Sequence, residues 1–256
     1  MGTGVKPIHG DYDIDVGIVF NLGSSHHEFP QPKVVKRWVY DAVRSHTRCV
    51  SWKEPCVTVQ YQAGGEPSYH VDLAVYGKDA YGRLYLSRGK EHSSKSHWEE
   101  ADPQGFTRMI RECFTGEDAA QFRRIIRYLK RWKDVHFSQE GNAAPVGIGL
   151  TILAYKSFQP ETAAYPTSYD DLAALLFLVS NISESFRPQW AGGRQQYRIS
   201  ARLPVTPNSD VFARMTDQQC TEFKGRIDTL KSRLSDTART GSTNPLRQAF
   251  GPDFPE

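Results

Sequence analysis

Two carboxylates stand one residue apart in an apolar segment near the start of the sequence, DYDIDVGIVF at residues 11–20. Alternation along a strand places Asp13 and Asp15 on one face, with Ile14 on the other. Like charges repel by roughly 4 kcal/mol at a separation of about 4 Å and an effective dielectric constant near 20, and by somewhat less at the spacing of two strand residues. A divalent cation would turn the repulsion into attraction, because carboxylate oxygens are the ligands that magnesium prefers. The pair therefore indicates a cation site.

A third carboxylate, Asp72, lies within a later apolar segment, YHVDLAVY at residues 69–76. Neighbouring strands could bring Asp72 close to Asp13 and Asp15. Three such carboxylates can hold two magnesium ions roughly 4 Å apart, which activate an attacking hydroxyl and stabilise a leaving pyrophosphate. The other interpretation is that these are edge-strand aspartates that face solvent, and a third aspartate on a second strand argues against it. We predict that the three residues are catalytic and bind Mg²⁺, with Mn²⁺ as a substitute.

Basic residues cluster in RRIIRYLKRWKD at residues 123–134, which is basic on one face and apolar on the other. Lys130, Arg131 or Lys133 would hold a triphosphate if this face turned toward the aspartates, since lysine binds phosphate as a point charge. A solvated helix face is the alternative interpretation. Upstream, the small residues Gly2 and Thr3 would let backbone amides approach a phosphate, although an ordinary turn also fits.

The hydrophobic pattern predicts an α+β protein whose strand-rich first part is followed by a helical part. Strands are predicted over 12–20, 56–61 and 69–76, with a helix over 33–45, a turn at 64–67 and a hairpin around Gly82. Helices are predicted over 117–134, over 150–158, from about 170 to 185, and over 216–238. The second of them follows a break at Pro145 and Gly147–Gly149. Ser168 or Asp170 would cap the third helix, and Thr216 would cap the fourth.

Length and composition exclude several classes of protein. The 256 residues suffice for one large or two small domains, and a net charge of +3 does not indicate a nucleic-acid binder or a nucleic-acid activator. Four cysteines without CxxC spacing favour neither a zinc ribbon nor a redox pair. No apolar run is long enough to span a bilayer and no secretory signal is evident, so we expect a cytoplasmic protein without a membrane partner.

The combination of segments resembles a known superfamily. DYDIDVGIVF, YHVDLAVY, the basic LKRWK helix and the Gly-rich segment after it resemble the DNA polymerase β-like nucleotidyltransferases. Further segments are similar to the bacterial cGAS/DncV-like nucleotidyltransferases, the CD-NTases: GTGVKPIHGDYDIDVG, WEEADPQGF, VGIGLTILA, LPVTPNSDVFARMT and FGPDFPE. The DxD element alone is common to many nucleotidyltransferases, whereas the combination is much more specific and covers essentially the whole chain.

The resemblance implies a fold and an activity. It implies a polymerase β-like nucleotidyltransferase sheet, N-terminally incomplete, over residues 1–115, a helical domain over 116–256, and an active site in the cleft between them. It implies an enzyme that joins ATP, GTP or other nucleoside triphosphates into a cyclic di- or trinucleotide, with magnesium as cofactor. The product would switch on an effector protein in anti-phage (CBASS) defence, with operon-encoded regulators as further partners.

The resemblance also implies roles for individual residues. Asp13 and Asp15 would bind metal, and Asp72 would be the third carboxylate, which activates the attacking hydroxyl. Lys130 matches a phosphate-contacting lysine of the family, and Lys133 follows it on the same helix. The segment from Gly147 to Gly149 matches a loop that lines the nucleotide pocket.

One departure from the family pattern concerns the segment before the DxD element. CD-NTases usually carry a Gly-Ser pair a few residues before GTGVKP, with a helix ahead of it, whereas this sequence begins at Met1-Gly2-Thr3. Unless Gly2 and Thr3 replace the pair, we expect a triphosphate pocket that lacks donors and synthesis that is weak or undetectable. Two alternatives stay open: a nucleotidyltransferase that makes linear oligonucleotides or modifies RNA or protein, and an inactive nucleotide-binding module.

Overall fold

The computed structural model describes residues 12–63, 66–138, 144–163 and 168–254. These residues fall into two compact units, one within Lys6–Gly105 together with Val205–Pro207, and the other within Phe106–Pro204 and Asn208–Glu256. The division into domains at residues 115/116 stays a prediction. Within the described residues, no helix combines the length and the apolar character needed to cross a bilayer.

The first unit is built on a mixed sheet of six strands. In chain order they are β1 (Tyr12–Gly23), β2 (Cys49–Trp52), β3 (Cys56–Ala63), β4 (Glu66–Asp79), β5 (Leu84–Arg88) and β6 (His97–Ala101). Strands β2 to β6 follow one another as antiparallel neighbours, and β1 pairs in parallel with β4. Strand β4 pairs with β3 and then β5 along one edge, so β1 must occupy its other edge. This arrangement places β1 and β3 on either side of β4.

Helix α1 (Pro32–Val43) covers one face of this sheet. Pro32 stands in the first helical turn, where its missing N–H costs nothing. Val35 and Val39, four residues apart, pack with Val57 of β3 and Val75 of β4 in one buried cluster. Full burial of each valine contributes about 1.5–3 kcal/mol. Because side chains alternate along a strand, a buried face under α1 leaves the opposite face of β1, β3 and β4 to polar residues.

The second unit is mostly helical. Its helices are α3 (Gly116–His136), α4 (Gly147–Ser157), α5 (Asp171–Glu184), α6 (Asp217–Thr240) and α7 (Asn244–Phe250). Helix α2 (Pro103–Glu112) precedes them in the chain, and the boundary between the units falls within it. Short strand pairs interrupt the helices: β7 (Thr162–Ala163) with β8 (Ser168–Tyr169), and β9 (Arg187–Ala191) with β10 (Arg194–Arg198). The predicted order, a sheet followed by helices, is confirmed.

The predicted caps and one predicted break have different outcomes. The side chain of Thr216 caps α6, and of the two candidates for α5 it is Asp170 that accepts a hydrogen bond from a backbone N–H. The break at Gly147–Gly149 is wrong, because α4 begins at Gly147 and includes both glycines. A Cβ at Gly149 would lie 2.3 Å from the ring of Phe212, so glycine here allows a close helix–ring contact and does not end the helix.

Candidate active site

The three predicted aspartates lie on one face of the sheet. In the pairing of β1 with β4, Asp13 stands opposite His70 and Asp15 opposite Asp72. On the other side of β4, Thr58 of β3 stands opposite Asp72. Residues in register share a face, so the carboxylates, the imidazole and the hydroxyl all project from the side that α1 does not cover. The sheet therefore brings the three carboxylates to adjacent positions.

Two of the carboxylates contact neighbouring side chains. Oδ1 of Asp13 lies 3.0 Å from Nε2 of His70. Oδ1 of Asp72 accepts a hydrogen bond of 2.5 Å from the hydroxyl of Thr58 and lies 3.8 Å from Nζ of Lys53. Asp13 is mostly exposed, whereas only 20% of the Asp72 side chain is accessible. Asp72 is therefore the better fixed of the two.

The pKa of Asp15 is raised by burial and by the neighbouring carboxylates. Asp15 is exposed as a residue, but its neighbours remove part of the hydration of its carboxylate, and this burial is the largest reason why its pKa is raised. The charges of Asp72 and then Asp13 raise the pKa further, and His70 opposes them. The shift shows negative charges that are close enough to repel. A bound cation would relieve that repulsion.

The donor chemistry fits the predicted metal, although no ligand set is preformed. Among the residues that the structure describes, no group of three His, Cys, Asp or Glu side chains is gathered so as to hold a metal ion. Asp13 and Asp72 contact protein partners instead. Three carboxylates on one face of two adjacent strands, with Asp15 and Asp72 in register, are still the oxygen donors that magnesium takes, and their mutual repulsion favours a cation between them. The assignment of Asp13, Asp15 and Asp72 as metal ligands stays a prediction.

The predicted phosphate-binding lysines lie in the second half of α3. Lys130 is partly buried, and this burial, followed by the charge of Lys133, lowers the pKa of Lys130. Lys133 forms an ion pair of 3.1 Å with Asp134. Arg131, the alternative to these lysines, contacts the C-terminal segment: its Nε donates to the backbone oxygen of Phe250 over 2.8 Å. Burial and the charge of Lys133 thus disfavour the charged form of Lys130, and the charge of Asp134 opposes this shift of its pKa.

Lys130 lies beside the first turn of α4. A Cβ built at Gly147 would be 3.8 Å from Cε of Lys130. Val146 precedes this turn and provides no side-chain cap, so the first N–H groups of α4 have no capping partner from that residue. The N–H groups at a helix N-terminus favour anions, as does a lysine beside them, and the N–H of Gly149 donates to the backbone oxygen of Val146 over 2.9 Å. The predicted pocket residues Gly147 and Gly149 therefore belong to a helical turn and not to a loop.

Sequence reasoning missed the side chains that contact the aspartates. Thr58, His70 and Lys53 were not predicted as site residues. The signal for Thr58 was present, because CVTVQY at 56–61 alternates and puts Thr58 on the polar face of its strand. The register that sets Thr58 beside Asp72 depends on the β3–β4 turn and could not be obtained from local pattern alone. Gly2 and Thr3 lie outside the described residues.

Comparison with known proteins finds a matching family and several solved structures of similar fold. Residues 1–76 match the family described as the nucleotidyltransferase domain of cyclic GMP-AMP synthase DncV-like proteins. The described fold is similar to that of Bradyrhizobium diazoefficiens CdnG in complex with GTP, at 15% identity and a TM-score of 0.65, over 94% of this chain and 76% of that chain. It is also similar to GTP-bound Vibrio cholerae DncV, at 14% identity and a TM-score of 0.70, over 98% of this chain and 65% of that chain.

Escherichia coli DncV bound to 3′-deoxy GTP gives a further match, at 15% identity and a TM-score of 0.64, over 96% of this chain and 65% of that chain. This chain thus spans slightly less than two thirds of the length of these DncV chains. No curated protein matches it in sequence. Residues 1–76 thus match the nucleotidyltransferase domain of DncV-like proteins, and the fold agrees with the predicted resemblance to the CD-NTases.

Proposed function

We propose that this nucleotidyltransferase joins nucleoside triphosphates, with ATP and GTP as the expected substrates, into a cyclic di- or trinucleotide. The observation that carries the proposal is the register that sets Asp15 opposite Asp72, with Asp13 two residues before Asp15 on the same face. The relatives support it by what they bind: CdnG binds GTP, and V. cholerae DncV, a cyclic AMP-GMP synthase, binds the linear intermediate 5′ pppA(3′,5′)pG.

The carboxylates would act at the α-phosphate of the incoming nucleotide. Asp13, Asp15 and Asp72 would hold Mg²⁺ or Mn²⁺, which when bound neutralises phosphate charge and acidifies the attacking hydroxyl. Asp72 would orient the 3′-hydroxyl of the second nucleotide and accept its proton as the new O–P bond forms. The bond from the α-phosphorus to the bridging oxygen breaks, and pyrophosphate leaves. A second transfer within the linear product would close the ring in the same way.

The helical unit would bind the triphosphate. We assign Lys130 to the terminal phosphates, because its partly buried side chain lies beside the first turn of α4, where an anion is also favoured. Lys133 would contribute less, because Asp134 already neutralises part of its charge. The start of α4 at Gly147 would add backbone N–H groups toward an anion, whereas Gly149 would only line the site, because its N–H donates to the backbone oxygen of Val146.

The cellular role follows from the product. A cyclic oligonucleotide made in the cytoplasm would act as a second messenger, so we propose an effector protein of anti-phage (CBASS) defence as the partner that binds it. Regulators encoded in the same operon would be further partners. Both proposals depend on the activity and would fail with it.

Product analysis separates the candidate functions. The chain is incubated with labelled ATP, GTP, CTP and UTP and Mg²⁺, and the products are treated with phosphatase and mapped with nucleases. A phosphatase-resistant product that contains only internal phosphodiester bonds supports cyclisation. A product with a phosphatase-sensitive end favours the linear-oligonucleotide alternative. Metal-dependent nucleotide binding without any product would favour the inactive binding module.

A further inference from the structure

The hydroxyl group of Thr58, which contacts Asp72 from the neighbouring strand, has no role in the mechanism proposed above. Thr58 lies in the middle of β3 and is 6% exposed, on the polar face of the sheet. Its Oγ1 lies 2.5 Å from Oδ1 of Asp72, the shorter of the contacts that this carboxylate makes with Thr58 and Lys53. Three adjacent strands thus align Thr58, Asp72 and Asp15 in one row, with Asp72 in the centre.

The direction of this hydrogen bond is fixed by chemistry. An ionised carboxylate only accepts, so the proton of Thr58 must point to Asp72. The buried thiol of Cys56, 3.7 Å from Oγ1 of Thr58, must then act as the donor on the other side. Burial raises the pKa of the Cys56 thiol, which keeps its proton in place. The hydroxyl is therefore held from both sides in the orientation that serves Asp72.

The hydrogen bond from Thr58 also bears on which carboxylate oxygen of Asp72 is left to contact a metal ion or the substrate. Thr58 and Lys53 both contact Oδ1. Because both of these contacts are made through Oδ1, we take Oδ2 as the oxygen that is left for a cation. A carboxylate without such an anchor would exchange between rotamers, and charge-assisted hydrogen bonds are about twice as strong as neutral ones. The buried position of Thr58 makes its hydroxyl costly unless this bond is made.

We propose that Thr58 is a positioning residue, which holds Oδ1 of Asp72 so that Oδ2 presents to the metal and the attacking hydroxyl. The use of this orientation, to present Oδ2 to the metal and the hydroxyl, rests on the proposed function. The orientation itself is a separate structural claim. Thr58 would touch neither substrate nor metal, and it would act only through Asp72.

The variant Thr58→Val tests the proposal, because it keeps the β-branched shape and removes only the hydroxyl. We expect crystal structures to show one Asp72 rotamer in the parent and a different or divided one in Thr58→Val. The affinity for Mn²⁺, measured by electron paramagnetic resonance with a non-hydrolysable GTP analogue, should fall about tenfold. The kcat should fall about tenfold to a hundredfold, whereas the KM for GTP stays within about threefold. Thr58→Ser, which restores the hydroxyl, should recover most of each loss.

The control is Thr237→Val, a buried threonine of α6 in the other unit whose hydroxyl has no hydrogen-bond partner among the described residues. It should leave the Mn²⁺ affinity and kcat unchanged. An unaltered Asp72 rotamer in Thr58→Val, or loss in Thr58→Ser as large as in Thr58→Val, would overturn the proposal. If the parent releases no pyrophosphate, the proposed function fails, and the Asp72 rotamers of parent and variant still decide whether Thr58 positions the carboxylate.

Discussion

Asp15 of β1 and Asp72 of β4 are direct partners in the parallel pairing of their strands. The two residues are 57 positions apart in the sequence, and the sheet alone makes them neighbours. Their charges act on each other, because Asp72 is one cause of the raised pKa of Asp15. Two carboxylates on adjacent strands destabilise the fold by their mutual repulsion, whereas together they provide oxygen ligands for a cation.

Replacing Asp72 should separate catalysis from binding. We expect Asp72→Asn to remove synthesis and to spare most nucleotide binding, because the amide can no longer accept the proton of the attacking hydroxyl. Asp13→Asn should weaken nucleotide binding more than Asp72→Asn does, because the metal ion and the triphosphate bind together. Pyrophosphate release gives the rate, and calorimetry with a non-hydrolysable GTP analogue gives the affinity. An Asp72→Asn enzyme within about threefold of the parent rate would disprove the assigned role.

Lys130 should matter for the triphosphate more than for the nucleoside. A charge-assisted contact contributes about 1.5–3 kcal/mol, so Lys130→Ala should weaken ATP binding about tenfold to a hundredfold and leave adenosine binding nearly unchanged. Lys133→Ala is the matched control, because Asp134 already pairs with Lys133 and the loss should be smaller. Calorimetric titrations with ATP and with adenosine check both variants. Equal losses of the two ligands in Lys130→Ala would restore the interpretation of α3 as a solvated face.

The two glycines of α4 should respond differently to alanine. A Cβ at Gly149 would lie 2.3 Å from the fully buried ring of Phe212, so Gly149→Ala requires the ring to move and should cost about 1–3 kcal/mol. At Gly147 the added Cβ would meet only Lys130, at the ordinary contact distance of 3.8 Å. Gly147→Ala should leave the Tm unchanged or slightly higher, because alanine favours the helix. Calorimetric Tm values that are equal for the two variants would contradict the packing described for Gly149.

The buried Lys36 should make stability depend on pH in the alkaline range. Its Nζ donates to the backbone oxygens of Glu54 and Gly89, and its side chain is inaccessible. Burial lowers the pKa of Lys36 from 10.5 to about 8, with Cys56 and Glu54 opposing the shift and Arg88 adding to it. Between these two values the unfolded chain binds more protons than the folded chain, so the contribution of Lys36 to the free energy of unfolding rises with pH.

The comparison of the parent with Lys36→Met isolates that contribution from the other groups that titrate in alkali. We expect the free energy of unfolding of the parent, relative to the variant, to rise by on the order of 1–3 kcal/mol from pH 8 to 10.5. Urea denaturation at a series of pH values measures the difference. A difference that stays flat over this range would show that Lys36 keeps its ordinary pKa, and a difference that falls would show a raised pKa; either result contradicts the prediction.

The sequence predicted most of what local pattern controls. The long amphipathic helices, the strands that carry the aspartates and the Thr216 cap follow from periodicity and capping chemistry, and the structure confirms them. Short elements such as β2, β6 and α7 were not predicted, because a few residues hold too little periodic signal. The helical conformation of Gly147–Gly149 was missed because it depends on the ring of Phe212, which lies 63 residues after Gly149. Tertiary packing of this kind overrides local propensity.

The candidate site was predicted in part for the same reason. The types and spacing of Asp13, Asp15 and Asp72 indicated their chemistry, but only strand register shows that Asp15 and Asp72 are partners. Thr58 and His70 could be recognised as site residues only from that register, since neither belongs to a sequence motif.

The central claim is that the acidic face of β1 and β4 performs nucleotidyl transfer. Its most direct test is pyrophosphate release from a mixture of the four nucleoside triphosphates, with and without Mg²⁺, by the parent, by Asp15→Asn and by Asp41→Asn. Asp41 is the matched control, because it lies on α1 of the same unit and pairs with Arg44. The account predicts release, however slow, that requires Mg²⁺, is lost in Asp15→Asn and is unchanged in Asp41→Asn. Release by Asp15→Asn at the parent rate, or no metal-dependent release by the parent, would contradict it.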